Sequence, residues 1–235
     1  MKKYFLSLFA LLLISSQSLT SAGYLASYSM KVSDPASYME AMDELMSSEW
    51  GKSFPAVVAV HAYDFNGYDD ATHTVVLNYS DTASLGEGTE SFTHPTFLSF
   101  LGKTTSIVEN IEQSLNMKLI SGGDEDPAKN NVYMIYRMQV DEPTKYANAY
   151  SKLIKAQEEA GNIEGTYGLR QHVSGSVNYY THYAYTSAGS VADAMESSEV
   201  LYSSDSYKKF SKETNGNRKL MNVSMLTNVK TYNSN

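Results

Sequence analysis

Cysteine is absent from this 235-residue chain. That excludes a disulfide framework, a thiol nucleophile, thiolate-ligated zinc, iron–sulfur clusters and a lipid-modified N-terminal cysteine. Stability has to come from buried apolar surface. Arginine is absent from the first half, residues 1–121, and the formal net charge is −8 at pH 7. No basic stripe offsets the acid, which argues against phosphate backbones and anionic lipid surfaces as partners. Past the N-terminus no stretch approaches the ~20 apolar residues needed to cross a bilayer. A phosphate-cradling glycine loop, a nucleophile elbow and a zinc-binding His pair on a helix are also missing. The acidic runs Asp69-Asp70 and Asp124-Glu125-Asp126 lack the alternating ligands and closing Glu of a calcium loop.

What is present starts with a leader. "MKKYFLSLFALLLISSQSLTSA" has two lysines, a short apolar run and small residues at Thr20-Ser21-Ala22, the layout of a secretory signal peptide. The expectation is export to the periplasm or the cell exterior, with residues 1–22 removed. An uncleaved anchor is the alternative, although the run is short for a membrane span.

"YSMKVSDPASYMEAMDEL" (Tyr28–Leu45) returns as "YRMQVDEPTKYANAYSKL" (Tyr136–Leu153). Tyr28/Tyr136, Met30/Met138, Val32/Val140, Pro35/Pro143, Tyr38/Tyr146, Ala41/Ala149 and Leu45/Leu153 coincide. The spacing is that of a whole small domain, too long for a solenoid repeat. Each copy reads as a strand, a proline-started helix with one apolar stripe, a hairpin, a further helix and a closing strand. In the first copy these are Tyr24–Val32, the helix after Pro35, Ala56–Tyr63 with Thr72–Tyr79, Ser91–Lys103 and Ser114–Ser121. In the second they are the strand and helix of the repeat, Thr166–Val173 with Tyr179–Thr186, Leu201–Glu213 and Leu220–Tyr232. The expected organisation is a first unit at 23–121, a polar linker at 122–131 and a second unit at 132–235. The fold class is α+β: two tandem ferredoxin-like β-α-β-β-α-β units. Each such sheet covers one face with helices, so the two open faces are expected to cover each other.

The aromatic-plus-small helix "THPTFLSFL" (Thr93–Leu101), its copy "SSDSYKKF" (Ser203–Phe210) and the order of elements resemble the dimeric α+β barrel superfamily, which includes antibiotic-biosynthesis monooxygenase-type domains. The resemblance is one of pattern over Tyr24–Tyr232. It implies a pseudo-dimeric barrel with pockets between sheet and helices. Members of the superfamily include cofactor-free oxygenases, isomerases, haem-handling enzymes and proteins without known activity.

Candidate chemistry rests on few residues. His73 and His182 recur at matching hairpin positions and are candidate acid/base groups, or else buried, hydrogen-bonded core residues. His61 and His73 flank Gly67 and would be cross-strand neighbours in a symmetric register, but no third metal ligand stands at recognisable spacing. His172 is read as solvated near its turn. His94 is either an axial haem ligand, as the haem-binding branch implies, or a helix cap ahead of Pro95. Arg137 and Arg170 make the second half the expected place for an anionic ligand. Nineteen Tyr against one Trp, with Tyr28, Tyr136 and Tyr183 on predicted strands, suggest a Tyr-lined cavity or plain core packing. Trp50 is read as a loop anchor. The expectation is an exported small-molecule-binding protein that holds a small apolar or aromatic ligand, with no cofactor, no metal and no nucleic-acid partner, as a monomer or homodimer. The alternatives are a cofactor-independent monooxygenase or isomerase, and a haem-handling protein.

Overall fold

The computed structural model describes residues 23–175 and 179–234. The leader and part of the second hairpin turn lie outside the described residues. The first unit runs β1 (Tyr24–Val32), α1 (Pro35–Ser47), α2 (Glu49–Ser53), β2 (Val57–Phe65), β3 (His73–Tyr79), α3 (Thr82–Ser91), α4 (Pro95–Thr104) and β4 (Val108–Gly123). The second runs β5 (Val132–Val140), α5 (Pro143–Glu159), β6 (Thr166–Ser174), β7 (His182–Ala188), α6 (Val191–Ser203), α7 (Asp205–Glu213) and β8 (Arg218–Tyr232).

Both repeated prolines open helices, where their missing N–H has no helical partner to lose. Asp34 caps α1, its Oδ1 accepting from the Ser37 N–H at 3.1 Å. Glu142, its counterpart, makes no such side-chain cap. Three helices escaped sequence reading, α3, α6 and the short α2. α3 is "TASLGEGTES", with Leu85 as its one large apolar residue, and α6 is "VADAMESSEVLYS", whose large apolar residues do not fall along one buried stripe. Trp50 stands on the short helix α2 rather than in a loop.

The eight strands close into one barrel, in the order β1-β3-β2-β8-β5-β7-β6-β4. Each half keeps the ferredoxin-like order, β4-β1-β3-β2 and β8-β5-β7-β6. The halves join edge to edge, β2 to β8 and β4 to β6, both antiparallel. A lone four-stranded sheet would leave two rows of backbone donors and acceptors unpaired, and these seams pair them. The joints need long strands. β4 has 16 residues and β8 has 15, and each pairs with its own unit along one part and with the other unit along the rest. The sequence expectation had only Ser114–Ser121 in β4, because the polar stretch "VENIEQ" gives no apolar alternation.

Helices cover the outer face of each half, over separate cores, the two largest of which lie one in each half. One is built around Val58, Val60 and Leu77 against α1, and the other around Met138 and Leu169 against α5. The inner strand faces meet in a shared lumen.

Candidate functional site

A cavity of about 430 Å3 lies in the first unit between the outer sheet face and its helices. Val58, Val75 and Leu77 floor it, and α1 contributes Tyr38 and Met42. Four rings make a closed circuit beside it. Trp50 and Phe54 stand 4.9 Å apart, Phe54 and Phe92 5.8 Å, Phe92 and Phe97 4.8 Å, and Phe97 and Trp50 5.4 Å. Trp50 Nε1 donates to the Ser91 carbonyl at 3.1 Å, which fixes the indole. Tyr28 meets Phe92 edge-on at 6.4 Å and Tyr38 leans on Phe100 at 6.2 Å. Neither tyrosine hydroxyl has a hydrogen-bond partner among the described residues, and burial alone raises both pKa values, so both stay protonated. No charged side chain and no histidine lines this space.

The equivalent space in the second unit is about 120 Å3. Here the matching tyrosines are engaged. The Tyr202 hydroxyl donates to the Tyr136 hydroxyl at 3.2 Å. Arg218 stands near Tyr146, its charge opposing the rise that burial gives the phenol pKa, and its guanidinium lies 4.9 Å over the Phe210 ring. The strand registers explain the difference. Val140 pairs with Arg218 where Val32 pairs with Val108, and Met138 pairs with Leu220 where Met30 pairs with Asn110. Arg218 therefore replaces a valine, and Tyr202 replaces Phe92. The larger side chains close the second site upon itself.

The structure separates the residues singled out in the sequence. Tyr28 lines the first cavity and Tyr136 the second. Arg137 follows Tyr136 on the same strand and so faces the opposite way, into the lumen. Its Nη2 donates to the Tyr63 hydroxyl at 3.0 Å and its Nη1 to Ser224 Oγ at 3.4 Å. Arg170 and Tyr183 are also buried in the lumen. Arg170 Nη2 donates to the Tyr185 hydroxyl at 3.0 Å, and burial pushes Tyr183 up to about 12. The arginines therefore serve neither helix-side space, because strand alternation turns them inward.

His73 and His182 line neither cavity. Each has its Nδ1 on the hydroxyl of the preceding threonine, at 2.9 and 3.0 Å. Thr72 and Thr181 in turn accept the Val32 and Val140 N–H groups, both at 2.9 Å. The repeated Thr-His pair is thus a clasp between neighbouring strands. Burial lowers the pKa of His73, and that of His182 to about 4. His61 and His73 are not cross-strand partners. His61 pairs with Thr74 and Ala62 with His73, one residue from the symmetric register, so the two imidazoles point to opposite faces. His61 meets Tyr133 edge-on at 5.1 Å across the lumen. His172 is buried rather than solvated, packed edge-on against Tyr180 at 4.9 Å. His94 caps α4, its Nδ1 accepting from the Thr96 N–H at 3.2 Å. Among the described residues no group of three His, Asp or Glu could hold a metal ion. The aromatic circuit was missed in the sequence. Its signal was there, in the one Trp of "SSEWGKSF" and the phenylalanines of "SFTHPTFLSFL", but nothing local shows that the two segments meet.

No family model matches the sequence, and no curated protein matches it. Solved structures do match the fold. A candidate monooxygenase from Lactobacillus acidophilus NCFM superposes with a TM-score of 0.61 at 11% identity, covering 90% of this chain and 96% of that one. An anthrone oxidase-like protein gives 0.58 at 11% identity, with 90% and 92% covered. A candidate chlorite dismutase gives 0.54 at 12% identity, with 89% and 96% covered. Two ferredoxin-like halves closed by antiparallel seams, and neighbours of this kind over nearly the full length, give the chain the dimeric α+β barrel fold, with both halves carried in tandem.

Proposed function

We propose that this is an exported binding protein whose first-unit cavity takes one small, neutral, apolar or aromatic molecule. The observation that carries the reading is the aromatic cavity of about 430 Å3 with two protonated, unpartnered tyrosine hydroxyls in its wall. Such a site offers flat apolar contact and two polar handles, the common plan of small-molecule pockets. The pocket is richer in Phe and Met than in Tyr, because the tyrosine-rich equivalent is the closed one. Export rests on the leader at residues 1–22.

A second reading is a cofactor-independent monooxygenase- or isomerase-like enzyme, and the monooxygenase and anthrone oxidase-like names of two structural neighbours support its oxygenase form. It needs a base within reach of the substrate, and the lining of the first cavity supplies hydroxyls and amides but no carboxylate or imidazole. Binding is therefore preferred. Haem handling through His94 fits poorly, since that imidazole caps a helix from an exposed position and no histidine lines either space.

Trp50, the only tryptophan, reports on this cavity directly. Titration with 6-bromo-2-naphthol, a neutral aromatic with a heavy-atom quencher, is expected to quench Trp50 emission saturably with one molecule per chain. Leu77→Phe, which fills the floor, should abolish the effect. Tyr28→Phe with Tyr38→Phe should weaken binding about three- to ten-fold, the worth of a neutral hydrogen bond. Quenching that never saturates, or that survives Leu77→Phe, rules out the cavity as the site. Conversion of the probe in air, followed by mass spectrometry, would instead favour the enzyme.

A further inference from the structure

Strand β4 carries one residue too many against β1. Tyr28 pairs with Gln113 and Ser29 with Glu112, but Met30 pairs with Asn110, so Ile111 is left out of the ladder. Such a β-bulge re-aims the side chains beside it. On a regular strand Asn110 and Gln113, three positions apart, would face opposite ways. With Ile111 bulged out, each lies opposite a residue of the cavity wall, and both line the exposed rim of the first-unit cavity. Neither carboxamide has a hydrogen-bond partner among the described residues. Their partners on β1 stand two positions apart, about 7 Å along the strand, so both amides can reach one group of a bound molecule.

The duplicate separates what the bulge does from what these residues do. β8 repeats the irregularity: Tyr136 pairs with Val223, Arg137 with Asn222 and Met138 with Leu220, which leaves out Met221. There the two re-aimed positions are apolar, and Leu220 lines the closed space. The bulge belongs to the fold of both units. The two carboxamides belong only to the unit with the open cavity.

We propose that Asn110 and Gln113 set the specificity of this cavity, for a neutral aromatic molecule that carries a carboxamide, lactam or imide group. The inference rests on the cavity being a binding site. A side-chain carboxamide offers a donor and an acceptor together. A ligand group that also has both is matched by the pair, whereas a ketone or an ether can only accept. No charged side chain lines the space, so a carboxylate or ammonium group would enter without a counter-charge. The polar group sits at the rim, between the two amides, and the aromatic body lies inward against Trp50, Phe92 and Phe97.

The test uses the intact mature chain and two probes of one shape, 2-naphthamide and 2-acetonaphthone, with binding read by equilibrium dialysis. The ketone has a methyl group where the amide has its N–H donors. Asn110→Leu with Gln113→Val, the residues that β8 has at these positions, should weaken naphthamide binding about five-fold more than acetonaphthone binding, the worth of one neutral hydrogen bond. If the double variant does not fold, Asn110→Leu alone carries the comparison. Equal weakening of both probes, or no weakening of either, overturns the proposal and leaves the cavity as a binding site, provided that Leu77→Phe still abolishes both. If neither probe binds the parent chain, the cavity reading fails and the proposal with it.

Discussion

His61 and His182 set how the folded chain responds to acid. Burial holds both near a pKa of about 4, against about 6.5 in an unfolded chain. Between those values the unfolded state binds more protons than the folded one. Stability is therefore full above about pH 6.5 and falls as the pH drops toward 4, by at most about 1.4 kcal/mol per pH unit for each histidine. Chemical denaturation at several pH values should show this slope, and His61→Gln with His182→Gln should reduce it, leaving the smaller part due to His73 and His172, whose pKa values burial also lowers. An unchanged slope in the double variant would mean that the imidazoles are not buried neutral. Neither role could be read from the sequence. A lone His on a strand looks the same whether it clasps a neighbour, faces a lumen or serves a substrate, and a one-residue register shift decides which.

Elements were legible wherever their apolar pattern is strong. The paired stretches from Tyr28 and Tyr136 announced β1–α1 and β5–α5, because strand alternation, proline at the first turn and a helical stripe all agree. Helix α3 was illegible for a reason that can be tested. Two glycines stand in its interior and lower its helical propensity. At Gly86 an added Cβ meets open space, whereas at Gly88 it would lie 2.5 Å from the Tyr79 ring. Gly86→Ala is expected to stabilise by about 0.5–1 kcal/mol, and Gly88→Ala to destabilise by about 1–3 kcal/mol through overpacking. Thermal unfolding of the two variants checks both signs. At the clasps, Thr72→Val and Thr181→Val should each cost about 1–3 kcal/mol, since a buried N–H loses its acceptor. If either is neutral, the Thr-His pair is not holding its strands.

Across the whole molecule, the tandem barrel was legible from the repeat, but its lumen was not, because lumen contacts join residues far apart in sequence. Arg137 of the second unit reaches Tyr63 of the first. The Tyr180 hydroxyl donates to Ser114 Oγ at 3.1 Å, and Ser224 Oγ to Asn66 Oδ1 at 2.9 Å. By the repeat, Arg137 occupies the place of Ser29. Two second units closing on each other would set arginine against arginine, while one of each unit sets arginine beside serine and tyrosine. Buried polar groups of this kind often serve specificity more than stability. Arg137→Met should therefore keep its unfolding midpoint close to that of the parent chain, yet give more strand-swapped oligomer when refolded at high concentration. Size-exclusion chromatography reads this. An unchanged oligomer fraction would remove the specificity role.

The seam between β2 and β8 joins Val58 to Tyr232 and Phe65 to Met225, pairs 174 and 160 positions apart in the chain. No barrel can close until the last strand has left the ribosome. Until then the β2 edge of the first half stays bare and open to wrong partners. So long a loop to close also predicts slow final folding. Whatever handles the chain during its synthesis meets an open half-barrel, and the barrel is sealed by the fifteen-residue β8.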